Sequence, residues 1–131
     1  MKAMLAGLAA VVLITAAGCA VTQKSLQEKG LKPMSAKDLQ ERYARPVKIR
    51  WTNDRNQSGT GEYTPDGTAR LAWQGGGATG KWRIKEGKFC TTYPELRGGA
   101  ETCFIPYRTG PRESVSFGED GAYAATSTDI D

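Results

Sequence analysis

The chain has 131 residues, with 18 Lys and Arg against 14 Asp and Glu, a formal net charge of +4, three Cys and no His. That length builds one domain and not two of ordinary size. Without His there is no Ser-His-Asp triad, no Cys-His dyad and no His-ligated zinc, so the commonest general base and the commonest metal ligand are both excluded.

Residues 1–18 (MKAMLAGLAAVVLITAAG) read as an export signal. Lys2 gives a minimal positive start. Residues 3–17 are apolar but fall short of the ~20 residues that span a bilayer, and small residues end the run. Ala16-Ala17-Gly18-Cys19 resembles the lipobox of bacterial lipoproteins, in which small residues precede a Cys that is diacylated on sulfur and then cut free. Ala16 departs from that pattern, where Leu is usual. The resemblance implies Cys19 as the lipid attachment site and a membrane as partner. Ordinary signal-peptidase cleavage after Gly18 or Ala20 is the alternative. Ala20 in place of Asp leans toward the periplasmic side of the outer membrane, and export argues against nucleic acid as a partner.

Residues 19–34 are polar and contain Gly30 and Pro33, which predicts a flexible tether. The domain is expected to occupy residues 35–131. Ser35 is a good N-cap, and Asp38 three residues later resembles a capping box. Ala36, Leu39 and Tyr43 make one apolar stripe, and Pro46 blocks continuation, so a helix is predicted over 35–43.

The rest reads as β. Residues 47–51 (VKIRW) alternate apolar with basic, 59–64 and 69–73 follow with turns at 53–56 and 65–67, and 81–85 (KWRIK) alternates again. Strands around Cys90 and Cys103, then 113–117 and 122–127, complete about eight short strands. This predicts a mostly β fold: an antiparallel meander forming a curled sheet or small barrel, with one N-terminal helix. Residues 129–131 read as a polar tail. Residues 75–81 (GGGATGK) fit the first seven places of a phosphate-binding loop. However, Trp82 takes the place of the Ser or Thr that would hold magnesium, and a strand follows instead of a helix, so a flexible hairpin loop is expected.

With Cys19 acylated, Cys90 and Cys103 remain as one pair in a compartment where disulfides persist. Phe89 flanks one and Phe104 the other, so in strands each Phe lies on one face and each Cys on the opposite face. Their spacing is not Cys-x-x-Cys, and a structural bridge is expected over a redox-active pair. The core is lean in large aliphatics. Three Trp, five Tyr and three Phe supply its bulk, and a small core of this kind usually has help from a disulfide.

Gly61-Glu62-Tyr63, Asp66-Gly67-Thr68, Trp73, Gly80-Lys81-Trp82-Arg83-Ile84, Gly87, Cys90 and Cys103 together resemble a pattern of small exported alphaproteobacterial proteins in domain families of unknown function. The match runs over about residues 59–105. It implies an exported β-rich domain with a Cys pair and brings no activity or catalytic residue.

Lys48 and Arg50 share one strand face, and Lys81, Arg83 and Lys85 another. If the strands are near each other they form a patch for lipid phosphates or anionic glycans, and the plainer reading is a solvated outer face. Trp51, Trp73 and Trp82 are candidates for a pocket in a barrel mouth, with core packing expected for at least two. Glu62, Glu86, Glu95, Glu101 and Glu113 are the material for a carboxylate pair, but none stands in an apolar stretch that would raise its pKa. No catalytic residue, metal ligand set or cofactor is identified. The expected function is a non-catalytic cell-envelope lipoprotein acting as a binding or assembly module. The alternative is an inhibitor of a wall-degrading enzyme, similar to the small barrels of the lysozyme-inhibitor families. A carboxylate-based hydrolase ranks last.

Overall fold

The computed structural model describes residues 21–130. Two short helices precede eight strands: α1 (Gln23–Glu28), α2 (Ala36–Arg42), β1 (Val47–Asn53), β2 (Ser58–Tyr63), β3 (Thr68–Trp73), β4 (Gly76–Lys85), β5 (Lys88–Thr92), β6 (Thr102–Arg108), β7 (Glu113–Gly118) and β8 (Tyr123–Ile130). Each strand pairs antiparallel with the next, and β8 returns to β1, so the meander closes into a barrel. Closure removes every sheet edge, which suits a short chain with no spare elements to cover one. The expected β meander is the observed fold.

Cross-strand register separates the two faces of the wall. On β1 to β4 the partners Ile49, Gly61, Leu71 and Ala78 form one inward row. Lys48, Glu62, Arg70 and Thr79 form the neighbouring outward row. Inward positions here are apolar and outward ones polar or charged, as a barrel with a packed interior requires. On β6 to β8 the preference reverses. Pro106, Ser116 and Ala125 align on the inward face, as do Ser114 and Ser127. Tyr107 with Val115 and Ile105 with Phe117 align on the outward face. Four of the residues that would normally fill a barrel therefore point out of it.

Each helix covers one consequence of that arrangement. α2 closes one end of the lumen. Ser35 accepts from the Asp38 amide at 3.1 Å while Asp38 accepts from the Ser35 amide at 3.1 Å, the reciprocal cap anticipated from sequence. From the other flank of α2, fully buried Leu39 and nearly buried Tyr43 join Ile49, Tyr63, Phe89 and Tyr93 in the inner core, whereas Ala36 stays exposed. Tyr43 stacks on Phe89 with centroids 4.5 Å apart, and Tyr63 meets both rings edge-on. Ring pairs of this geometry add ~1 kcal/mol each beyond the area they bury.

α1 covers the outward apolar face. Leu26 is 4% exposed and packs with Tyr107, Val115 and Phe117, with Val21, Leu31, Ile105 and Tyr123 around them. Gln27 donates to the Tyr107 hydroxyl at 3.3 Å, and that hydroxyl donates to Gln23 at 3.0 Å. One turn of helix thus satisfies the polar tip of a fully buried Tyr. Residues 21–34 are accordingly an ordered strap and not the flexible tether that their polar composition suggests. Their few apolar residues find an apolar face that sequence alone does not reveal. Beyond α1, Pro33 bridges to Tyr107 and the Met34 amide donates to the Pro106 carbonyl at 2.8 Å. Strands β5 and β6 pair only over Phe89–Thr91 and Thr102–Phe104. The strap therefore completes the lower half of their seam before entering α2.

Two further expectations are corrected. The run 75–81 is not a hairpin loop: Gly76–Lys85 is strand, and only Gln74 and Gly75 make the turn. Small residues are needed there because Trp73 lies across Gly76 (a Cβ on that glycine would sit 2.9 Å from the Trp73 Nε1). Asp129 is not part of a tail but an inward position near the end of β8.

Candidate functional site

The reversal on β6 to β8 leaves the barrel incompletely filled. A cavity of about 1290 Å³ runs from a mouth between the turns at 54–57, 74–75 and 119–122 down to α2. It exceeds the ~300–1,000 Å³ of ordinary small-molecule sites, as expected for a volume that includes its own mouth. Eight strands give an interior that side chains can fill or that holds one small ligand. Here small residues at the inward positions of β6 to β8 leave the interior partly unfilled.

The walls differ. On one side stand Trp51, Leu71 and Trp73 above Ile49, Tyr63 and Phe89. On the other stand Thr91, Thr102, Ser114, Ser116 and Ser127, each with a hydroxyl that can both donate and accept. Trp51 pairs across the sheet with Gly59, Gly59 with Trp73, and Trp73 with Gly76. This Trp-Gly-Trp-Gly row circles half the mouth. A Cβ at Gly59 would lie 2.5 Å from the Trp51 ring and 2.1 Å from the Ala72 carbonyl oxygen, so only glycine fits beneath the indole. Trp51 Nε1 donates to the Thr60 carbonyl at 2.9 Å, which ties the ring to the wall. Trp82 belongs to the core instead: its Nε1 donates to the Thr64 carbonyl at 2.8 Å, and its ring lies 5.0 Å from Tyr43. Two of the three Trp thus reach the cavity and one packs behind it.

A charge cluster braces the closed end. Arg42, 10% exposed, forks onto Asp129 with contacts of 2.7 and 3.1 Å. Arg108 reaches the same carboxylate at 3.1 Å and donates to Ser114 Oγ at 3.2 Å. Burial pushes the Asp129 carboxyl up, but the Arg42 and Arg108 guanidiniums outweigh it and hold it below the ordinary carboxylate range. Arg42 also lies over the Tyr43 ring at 5.6 Å. The cluster therefore fixes α2 to β6 and β8 across the floor. Composition could not announce it, since Asp129 sits in a stretch, Thr128-Asp129-Ile130, with no apolar alternation around it. The detectable signal was the small-residue alternation Ala125, Ser127, Asp129. Nearby, the Tyr93 hydroxyl is buried with no hydrogen-bond partner among the described residues, and burial pushes its pKa up to about 12.

The sequence-predicted residues are distributed otherwise. Cys90 and Cys103 are bonded and sit opposite each other on β5 and β6, with Phe89 opposite Phe104 one position along, as the phase argument required. Glu101 comes within 4.8 Å of both sulfurs, but sulfurs joined to each other are not thiolate ligands, so this trio is no donor set for a cation. The five basic residues are all exposed and face outward, yet they do not form one patch. Lys48 and Arg50 lie on β1, three strands from β4, with Glu62 of β2 directly opposite Lys48. Arg83 and Lys85 are drawn onto Glu101 at 2.6 and 3.6 Å. Hydrogen bonding from Arg83 holds the Glu101 carboxyl below its ordinary range. Among the five candidate glutamates only Glu101 lines the cavity. Cys19 lies outside the described residues. Comparison of the chain with known proteins gives no match, whether to protein-family models, to curated sequences or to solved structures.

Proposed function

We propose that this chain is a non-catalytic, exported lipoprotein whose barrel lumen binds a small ligand. The observation that carries the reading is the open cavity with one aromatic and one hydroxylated wall. It offers shape, aromatic surface and hydrogen-bonding groups, the features of a small-molecule binding site. The Cys90–Cys103 bond supports an oxidising compartment. The export signal and the lipobox-like Cys19 support attachment to the envelope membrane, and the ordered strap from residue 21 holds the barrel close to such an anchor. Against the enzyme-inhibitor alternative, the rim turns at 54–57, 74–75 and 119–122 are too short to plug an active-site cleft, and the distinctive surface is concave.

Two measurements test this. Intact mass of the protein isolated from its own cells reports acyl chains on Cys19, with the gain of a pair of hydrogens on reduction. Native mass spectrometry of the same preparation is expected to carry a one-to-one non-covalent adduct that is lost when Ala125→Phe plugs the lumen. An adduct indifferent to that plug, or none from any envelope fraction, contradicts lumen binding.

A further inference from the structure

The geometry points to a saccharide as the occupant of the lumen, an inference that rests on lumen binding and names its chemistry. Three observations combine. First, Trp51 and Trp73 stand side by side in the row at the mouth and line the cavity. Each is set against a glycine of the neighbouring strand, Trp51 by Gly59 and Trp73 by Gly76, where no larger residue leaves room for the indole. Two indoles held at the mouth suit a ligand with an apolar face. Second, the facing wall is part polar, with hydroxyls set among Phe104, Pro106 and Ala125. Thr102, Ser116 and Ser127 line the cavity, and Ser114 stands deeper by Arg108. An acyl chain or an aromatic hydrocarbon would desolvate those hydroxyls without giving them partners, which is unfavourable. A sugar ring satisfies both walls, because its C–H face stacks on the indoles while its hydroxyls donate to and accept from the Ser and Thr groups. Third, the mouth is open at the indole end and closed at the α2 end. The site therefore takes a chain end or a short oligosaccharide threaded inward, and not the middle of a polymer laid across a groove.

The test uses the full-length protein and an array of neutral, N-acetylated and acidic oligosaccharides, followed by titration of the best binder with intrinsic Trp fluorescence as readout. Sodium oleate and the dye 1-anilinonaphthalene-8-sulfonate serve as apolar comparisons. The expected result is saturable binding of at least one oligosaccharide class. Its affinity should fall about tenfold in Trp51→Ala and in Trp73→Ala, and by a smaller factor in Ser116→Ala. Since an alanine also removes packing at the mouth, Trp51→Phe and Trp73→Phe keep a ring there and are expected to lose a few-fold at unchanged thermal stability. Binding that ignores all four Trp variants overturns the inference. If oleate or the dye binds with that Trp dependence while no oligosaccharide does, the lumen remains a site and the saccharide is wrong. If none of the probes binds, both readings fall.

Discussion

The barrel has two halves that obey opposite rules. From β1 to β4 the apolar residues turn inward and the charges outward, with Ile49 and Leu71 inside and Lys48 and Arg70 outside. From β6 to β8 the apolar residues turn outward, where Tyr107, Val115 and Phe117 are buried only because α1 lies on them. The comparison shows how a small chain builds a core and a cavity together. A second apolar cluster outside the wall supplies burial that an interior packed all round would otherwise have to supply, and the lumen is free to be part polar. Each cluster needs its own helix, α2 for the inner and α1 for the outer.

Breaking each helix's anchor separates the two halves. Leu39→Ala removes a fully buried side chain from the inner cluster, and the expected loss is about 3–4 kcal/mol, read by denaturant unfolding. Leu26→Ala acts on the strap. About 2 kcal/mol is expected, with the outer face of β6 and β7 gaining hydrogen exchange while the inner core keeps its protection. Equal exchange in both regions would show that the barrel and strap unfold as one unit. Gly59→Ala tests the mouth. Its Cβ would lie 2.1 Å from the Ala72 carbonyl oxygen, backbone held in the sheet, and 2.5 Å from the Trp51 ring, so a loss of about 2 kcal/mol with altered Trp fluorescence is expected.

Asp129 supplies a pH test. Its carboxyl titrates below the unfolded value, so the cluster's contribution is complete above the unfolded pKa of ~3.9 and disappears as pH falls through the depressed folded value. Asp129→Asn is expected to cost about 2 kcal/mol at neutral pH, because two guanidiniums lose their shared partner, and to flatten the acid limb of the stability curve. An unchanged acid limb would remove Asp129 from the account. The smallest effect is expected at the exposed outer wall. Arg83→Ala breaks an exposed, solvent-screened pair with Glu101, and denaturant unfolding should show almost no change despite the close contact.

Much of this fold is legible in the amino-acid order, for physical reasons that differ by element. Residues 47–51 and 81–85 alternate cleanly because one face meets a core and the other meets water, so β1 and the second half of β4 can be read directly. The Ser35 cap is local chemistry and is read just as directly. The disulfide follows from the phase of Phe89 and Phe104. The site was harder. Glycines at 76 and 77 look like a loop, and only their position beneath Trp73 and beside the Leu71 and Ala72 backbone explains them as strand. The end of β8 around Asp129 looks like a tail because the inward residues of that strand are small or charged, and that choice makes sense only once the lumen is known to be hollow. The strap was hidden for the reciprocal reason, since its docking face is made by strands some eighty residues away.

Inverted facing of β7 is the claim on which lumen, strap and site all depend, and thiol accessibility measures it residue by residue. Single Cys replacements at Val115, Ser116 and Phe117 are treated with a small thiol reagent in the folded protein, and labelling is read on the peptide that carries them. The account predicts that position 116 reacts readily through the open mouth, while 115 and 117 stay protected beneath α1. Protection at 116 with labelling at 115 and 117 would mean that the strand faces the other way, and the cavity described here would not exist.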